Sequence, residues 1–201
     1  MTKAARAPHV LVGVFVGGRG ERLGGVAKGL LTTHAADGRE ITLIERVLGE
    51  LRAALPEAEV LLVGNNASYG QLGTLIADSP SGIGPLGGLN ALLLEATRRG
   101  RSHVLVLACD LPFIRRALIQ RLVEEQPQAS VLLAETQGVR NPLIARYDAA
   151  LALAATRSAL ESAQRSLQAV LDRLLDVRAL RLTESEASSL RDWDTPEDIE
   201  G

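Results

Sequence analysis

The sequence predicts an α/β protein built on a mostly parallel sheet, and three observations carry that prediction. Val10–Val16 (VLVGVFV) and His103–Ala108 (HVLVLA) are continuous aliphatic runs, the pattern of strands covered on both faces. Strands and helices alternate along the chain, and strand, helix, strand in that rhythm closes into right-handed parallel crossovers. A Gly-rich segment, GGRGERLGGVAKGL, begins at Gly17, where the first strand should end. Ligands of open α/β sheets gather beyond the carboxyl ends of the strands.

Length and composition bound the rest. At 201 residues, with a formal charge of −2 and 46% hydrophobic content, the chain is long enough to bury a core and carries no basic field for nucleic acid. It reads as one domain over residues 1–201, with no internal repeat or linker. No apolar run reaches the length of a membrane span, and MTKAARAPHV has no apolar signal core. Cys109 is the single cysteine, which excludes an internal disulfide. These features lead to the expectation of a cytoplasmic protein that contacts no membrane. His9, His34 and His103 are scattered without zinc spacing.

Taken in order, the first strand delivers the chain into glycines at 17, 18, 20, 24 and 25, interleaved with Arg19, Arg22 and Lys28. Backbone without Cβ atoms lets N–H groups approach an anion, and a guanidinium and an ammonium beside them suit a polyphosphate. Spacing excludes two better-known loops: Lys28 is followed by Gly29 where a P-loop has Ser or Thr, and Leu23 breaks GxGxxG by one residue. A Gly-rich surface turn with incidental charges is the competing reading. Against it, Lys3 and Lys28 are the only lysines among 22 basic residues, which marks position 28 as one where a compact ammonium is wanted.

Residues 32 to 40 are polar and read as a turn. Thr42 and Glu45 form a capping box that opens a helix with Leu43, Val47 and Leu51 on one face, stopped by Pro56. Val60–Val63 is the next strand, ending at Asn65 and Asn66. Their amides suit a base or ribose, but Asn is equally a turn residue, which leaves both readings open. A short strand at Leu75–Ala77 ends at Asp78. The segment SPSGIGPLGGLNALLLEA then places Pro85 in a first helical turn, so that a second Gly-rich helix N-terminus faces the same rim.

His103–Ala108 should be the central strand, and it delivers Cys109 and Asp110 to that rim. A carboxylate there is a candidate Mg²⁺ ligand, with a helix cap as the alternative. A helix over 114–125 and a strand at Ser130–Ala134 follow. Residues 148 to 176 read as helical, 179 to 182 as an edge strand, Thr183 with Glu186 as the cap of a short helix, and Thr195–Pro196 as the start of another.

Four segments together resemble a known family. GGRGERLGGVAKGL, GPLGGL at 84–89, CDLP at 109–112 and GVRNPLIARY at 138–147 are similar, in order, to motifs of the molybdenum cofactor guanylyltransferases, within the nucleotidyltransferases. The GG opening and GPLGG favour the guanylyl over the cytidylyl branch. Three departures stand out: Leu23 for the usual Met, Ala27 for the usual Asp, and Asp192 and Asp194 where guanylyl enzymes more often carry Asn.

The resemblance implies a three-layer α/β/α, Rossmann-like fold of the nucleotide-diphospho-sugar transferase type. It also implies transfer of GMP from GTP to molybdenum-loaded molybdopterin with release of pyrophosphate, supported by Mg²⁺ on Asp110. Arg22, Lys28 and Asp110 would be catalytic. Val16, Gly17, Gly18, Gly20, Lys28, Asn65, Asp78, Gly84, Pro85, Gly87 and Asp110 would bind nucleotide, and Arg140, Asn141 and Asp194 the acceptor. Arg140 is as readily a solvent-facing turn residue. Transient contact with a molybdoenzyme or a cofactor-delivery protein would follow. Two other readings stay open: a sibling enzyme using CTP or another phosphorylated acceptor, and a nucleotide-binding homologue weakened by Ala27.

Overall fold

The computed structural model describes residues 10–17, 27–35, 38–188 and 190. In chain order its elements are β1 (Val10–Phe15), β2 (Thr32–His34), β3 (Glu40–Thr42), α1 (Leu43–Ala54), β4 (Glu59–Val63), β5 (Thr74–Ile76), α2 (Pro85–Arg98) and β6 (His103–Ala108). There follow α3 (Arg116–Glu124), β7 (Val131–Thr136), β8 (Val139–Asp148), α4 (Ala149–Glu161), α5 (Leu167–Leu171), β9 (Val177–Leu180) and α6 (Glu184–Ser188). Among the described residues seven strands form one sheet in the order β5-β4-β1-β6-β8-β7-β9, with β6 at its centre. Of these strands β8 alone runs antiparallel to both its neighbours.

Two cores sandwich that sheet, because successive residues of a strand point to opposite faces. Val10, Val12 and Val14 of β1 pack with Ile44 and Val47 of α1 and Leu118 of α3. Leu11 and Phe15 pack on the other side with Leu89 and Leu92 of α2. Burial on both faces explains why β1 reads as an unbroken apolar run, each fully buried Val or Leu contributing about 1.5–3 kcal/mol. Gly13 interrupts the run where α2 presses closest: a Cβ there would lie 2.4 Å from Leu92 Cδ2. The α/β/α layering is therefore the expected one. The Thr42–Glu45 capping box also forms, Glu45 N–H donating to Thr42 Oγ1 and Thr42 N–H to Glu45 Oε2.

Three local expectations require correction. Residues 32–40 are not only turn: β2 and β3 pair antiparallel outside the main sheet, with Thr32 opposite Thr42 and Thr33 opposite Ile41. β-Branched residues facing one another across a pair stabilise it despite the polar composition. The stretch from 148 to 176 is not one helical run. Ser162 Oγ donates back to the Ala159 carbonyl and accepts from Gln164 N–H, and Ser166 then caps α5 through Ala169 N–H, so the chain breaks between two helices. Arg140, read alternatively as a turn residue, lies inside β8. Gln137 (φ 52°) and Gly138 (φ 79°) turn the chain in two residues, the pairing geometry of a type I′ hairpin.

Candidate functional site at the strand tips

The carboxyl ends of β1, β4 and β6 stop on one rim, and hydrogen bonds continue past them. Val16 N–H donates to Val63 O (2.9 Å), Gly64 N–H to Ile76 O (2.9 Å) and Cys109 N–H to Phe15 O (3.2 Å). The segments that leave the strands are thus registered against one another. Gly64 is needed there, since its φ of +146° would set a Cβ 2.9 Å from the Gly17 nitrogen. Above the rim opens a cavity of about 560 Å³, within the roughly 300–1,000 Å³ range of small-molecule sites.

Of the residues singled out from the sequence, Val16, Gly17, Lys28, Asn65, Asp78, Gly84, Pro85 and Asp110 line this one cavity. Lys28 stands on a single 3₁₀ turn, Lys28–Leu30, and its Nζ lies 3.6 Å from Asp110 Oδ2, both side chains being largely buried. The competing role for Asp110, capping α3, is taken by another residue: Arg116 N–H donates to Glu50 Oε2 at 2.6 Å. Ala27 packs its methyl group on the α1/α3 core, and Lys28 pairs with Asp110.

The opposite wall is built from Asn65 and Asp78. Asp78 N–H donates to Asn65 Oδ1 (3.2 Å) and Asn65 Nδ2 donates to Asp78 Oδ2 (3.4 Å). Burial pushes the Asp78 carboxyl above its ordinary value, because the charged form loses hydration there. Gly84, at φ 72°, caps α2 and lets Pro85 open it. Gly87 stands behind the wall: a Cβ on it would sit 2.3 Å from the Pro80 carbonyl oxygen.

Arg140 and Asn141 are not brought to the cavity. They stand on the β7–β8 hairpin, where Arg140 Nε is 3.8 Å from Glu135 Oε2 and Asn141 Oδ1 accepts from Leu143 N–H (3.1 Å). The pairing of β7 with β8 shifts between Leu133 and Ala134, opposite Pro142, which has no N–H to give a ladder. That irregularity delivers Leu143 to the cavity wall. Gly18, Gly20, Arg22 and Asp194, with Asp192 and Thr195–Pro196, lie outside the described residues.

Residues 12–177 match the profile of the MobA-like NTP transferase domain. The molybdenum cofactor guanylyltransferase of Pseudomonas syringae pv. syringae is 30% identical, covering 90% of this chain and 88% of that protein. The protein of the same name from Pseudomonas putida is 31% identical over 98% of both. The chain belongs to the MobA-like NTP transferase family. Its fold is shared with molybdopterin-guanine dinucleotide biosynthesis protein A of Archaeoglobus fulgidus, at a TM-score of 0.71, 25% identity and 94% coverage of each chain.

Within this family frame, several site residues carry no sequence signal that finds them. Tyr69 is 1% exposed yet lines the cavity, and its hydroxyl accepts a hydrogen bond from Gly29 N–H (3.1 Å). Asn90, buried on α2, donates to the Ser79 carbonyl (2.8 Å), while Ser79 N–H donates to Gly87 O (3.0 Å), so the loop carrying Asp78 is tied to the helix twice. A tyrosine in NNASYG and an asparagine among leucines have no spacing that announces either contact. Cys109 also lines the cavity, but burial pushes its thiol up to about 12, which keeps it protonated at neutral pH and makes it a packing group.

Proposed function

We propose that the chain transfers GMP from GTP to molybdenum-loaded molybdopterin, releasing pyrophosphate and forming the guanine dinucleotide form of the cofactor. One observation carries the reading. A single cavity joins a Lys28–Asp110 pair at one wall to an Asn65–Asp78 pair at the other, over the tips of the central strands. The first pair suits a metal-bound triphosphate, and the second presents an amide and a carboxylate to a base or ribose. The guanylyltransferase name of relatives at 30% and 31% identity supplies the acceptor and the base.

The chemistry asks little of the protein beyond placement. An oxygen of the acceptor's terminal phosphate forms the new bond to the α-phosphorus of GTP. The α–β phosphoanhydride bond breaks, and its electron pair leaves with pyrophosphate. A phosphate monoester with a second pKa of about 6 is already ionised at neutral pH, so no side chain has to remove a proton. Lys28, with Arg22 and the N–H groups of the Gly-rich loop, holds the β- and γ-phosphates and neutralises charge on the leaving group. Asp78 and Asn65 hold the nucleoside, Asp78 accepting from donor edges of guanine.

The donor set at Asp110 fits Mg²⁺. Among the described residues no group of three His, Cys, Asp or Glu side chains surrounds a common point. One carboxylate beside a phosphate site is the arrangement Mg²⁺ takes, since it keeps waters and completes its shell with phosphate oxygens. When bound, the ion supplies charge neutralisation on the triphosphate. The same reading includes a single domain, action in the cytoplasm, and hand-over of the product to a molybdoenzyme or delivery protein. Among the described residues no helix is long and apolar enough to cross a membrane.

Pyrophosphate release tests the reading, measured with GTP or CTP, each with and without molybdenum-loaded molybdopterin. Acceptor-dependent release with GTP, and far less with CTP, is the expected result. Comparable kcat/KM for the two nucleotides would sink the guanylyl assignment, because a site matched to one base edge leaves polar groups unpaired with another.

A further inference from the structure

We infer that Tyr69 is a positioning residue for this site: its hydroxyl holds the turn that carries Lys28 against the segment that carries Asp110, and so sets the spacing of those charges. The inference rests on the nucleotidyltransferase reading of the cavity. Tyr69 comes from the 3₁₀ turn Ala67–Tyr69 beyond β4, a segment that contributes neither charge. Its Oη accepts from Gly29 N–H at 3.1 Å, and Gly29 directly follows Lys28. The sulfur of Cys109, which directly precedes Asp110, lies against Gly29 as well. A Cβ built on Gly29 would fall 3.0 Å from both Tyr69 Oη and Cys109 Sγ, so both groups close on Gly29 and leave no room for a side chain there.

The physical consequence follows from what surrounds Lys28. Its turn is a single 3₁₀ turn with no side-chain cap, an element too short to hold its own geometry. A buried hydrogen bond from a 1%-exposed ring is an anchor that water does not easily replace. Lys28 and Asp110 stand 3.6 Å apart across this strut. A triphosphate with its metal ion must be received at a spacing that the protein has set beforehand.

Tyr69→Phe keeps the ring and deletes the hydroxyl, whereas Gly29→Ala keeps the hydroxyl and crowds it from the turn. Two readouts are taken on the full chain: hydrogen exchange of the Gly29 amide by NMR, and steady-state kinetics with Mg²⁺·GTP and acceptor. In Tyr69→Phe the Gly29 amide should exchange about fivefold faster or more, the scale of one lost hydrogen bond, while Val14 and Leu107 amides are unchanged. Both variants should raise KM for Mg²⁺·GTP by a similar factor and leave KM for the acceptor alone. A merely structural tyrosine would lower the melting temperature with both KM values unmoved, and that result overturns the inference. So does a KM shift in Gly29→Ala but not in Tyr69→Phe. A wild-type protein without GTP turnover overturns the nucleotidyltransferase reading itself, whereas normal wild-type turnover with an unmoved Tyr69→Phe overturns only the strut.

Discussion

Gly88→Ala should damage the site through a single added methyl group. A Cβ at this position would lie 2.8 Å from both Phe15 Cε1 and Val63 Cγ1 and 3.1 Å from Asp78 Oδ1, where ordinary contact begins at 3.4 Å. Phe15 and Val63 are the last residues of β1 and β4 and are buried, so neither can swing aside. The N-terminus of α2 must instead lift by roughly half an ångström, and overpacking of that kind costs about 1–3 kcal/mol. Alanine returns about 1 kcal/mol of helix propensity. The net loss is then about 0–2 kcal/mol, a fall in melting temperature of a few degrees for a chain of this size. The functional loss should be larger than the stability loss, because Asp78 is one of the atoms displaced. Since misplacement by about 1 Å can cost on the order of a hundredfold, half of that predicts roughly a tenfold fall in kcat/KM for GTP. Gly49→Ala is the matched control: it lies in α1, with nothing within 4 Å of its Cβ position. It should stabilise the protein by about 0.5–1 kcal/mol and leave activity alone. Urea unfolding and steady-state GTP kinetics on both variants decide the matter. If Gly88→Ala behaves like Gly49→Ala, the close packing of α2 on the strand tips does not govern the site.

Other substitutions address the remaining parts of the structure. Asp110→Asn keeps the volume and removes the charge, so turnover should fall by roughly a hundredfold or more with little change in melting temperature; near-normal turnover would place the metal elsewhere. Asp78→Asn probes a carboxyl whose pKa in the folded state lies above the unfolded value of 3.8. As pH rises the unfolded chain releases that proton first, so this group's contribution to stability falls between the two pKa values and is constant above them. The variant should therefore gain stability relative to wild type as pH rises above 3.8 while losing GTP binding, and an unchanged or opposite difference in urea unfolding would contradict the burial argument. Arg146→Met removes a fully buried guanidinium that donates to the carbonyls of Leu122, Val123, Glu125 and Gln126, where α3 ends. Leaving those acceptors unpaired should cost about 3 kcal/mol or more, and a loss under about 1 kcal/mol in urea unfolding would show that water takes over the cap.

What the sequence by itself determined is what repeats at short range. The aliphatic runs of β1 and β6, the capping boxes at Thr42 and Thr183, and Pro85 opening α2 are local patterns whose energetics act within a few residues. Alternation of strands and helices then restricts the topology, and strand tips are where such sheets place ligands, so Lys28, Asp78 and Asp110 could be named before any distance was known. Only the tertiary structure decided which segments meet. The Tyr69 hydroxyl lies 40 positions from Gly29, and Arg116 finds its partner Glu50 across 66. No periodicity connects residues so far apart. β8 was harder still, because an antiparallel strand inside a parallel sheet follows from a two-residue turn at Gln137–Gly138 and an irregularity opposite Pro142, not from its own composition. The same hairpin holds Arg140 and Asn141 away from the cavity, which their place in the sequence motif did not disclose. A motif specifies residue types at a spacing, whereas contact depends on where the chain has been turned in between.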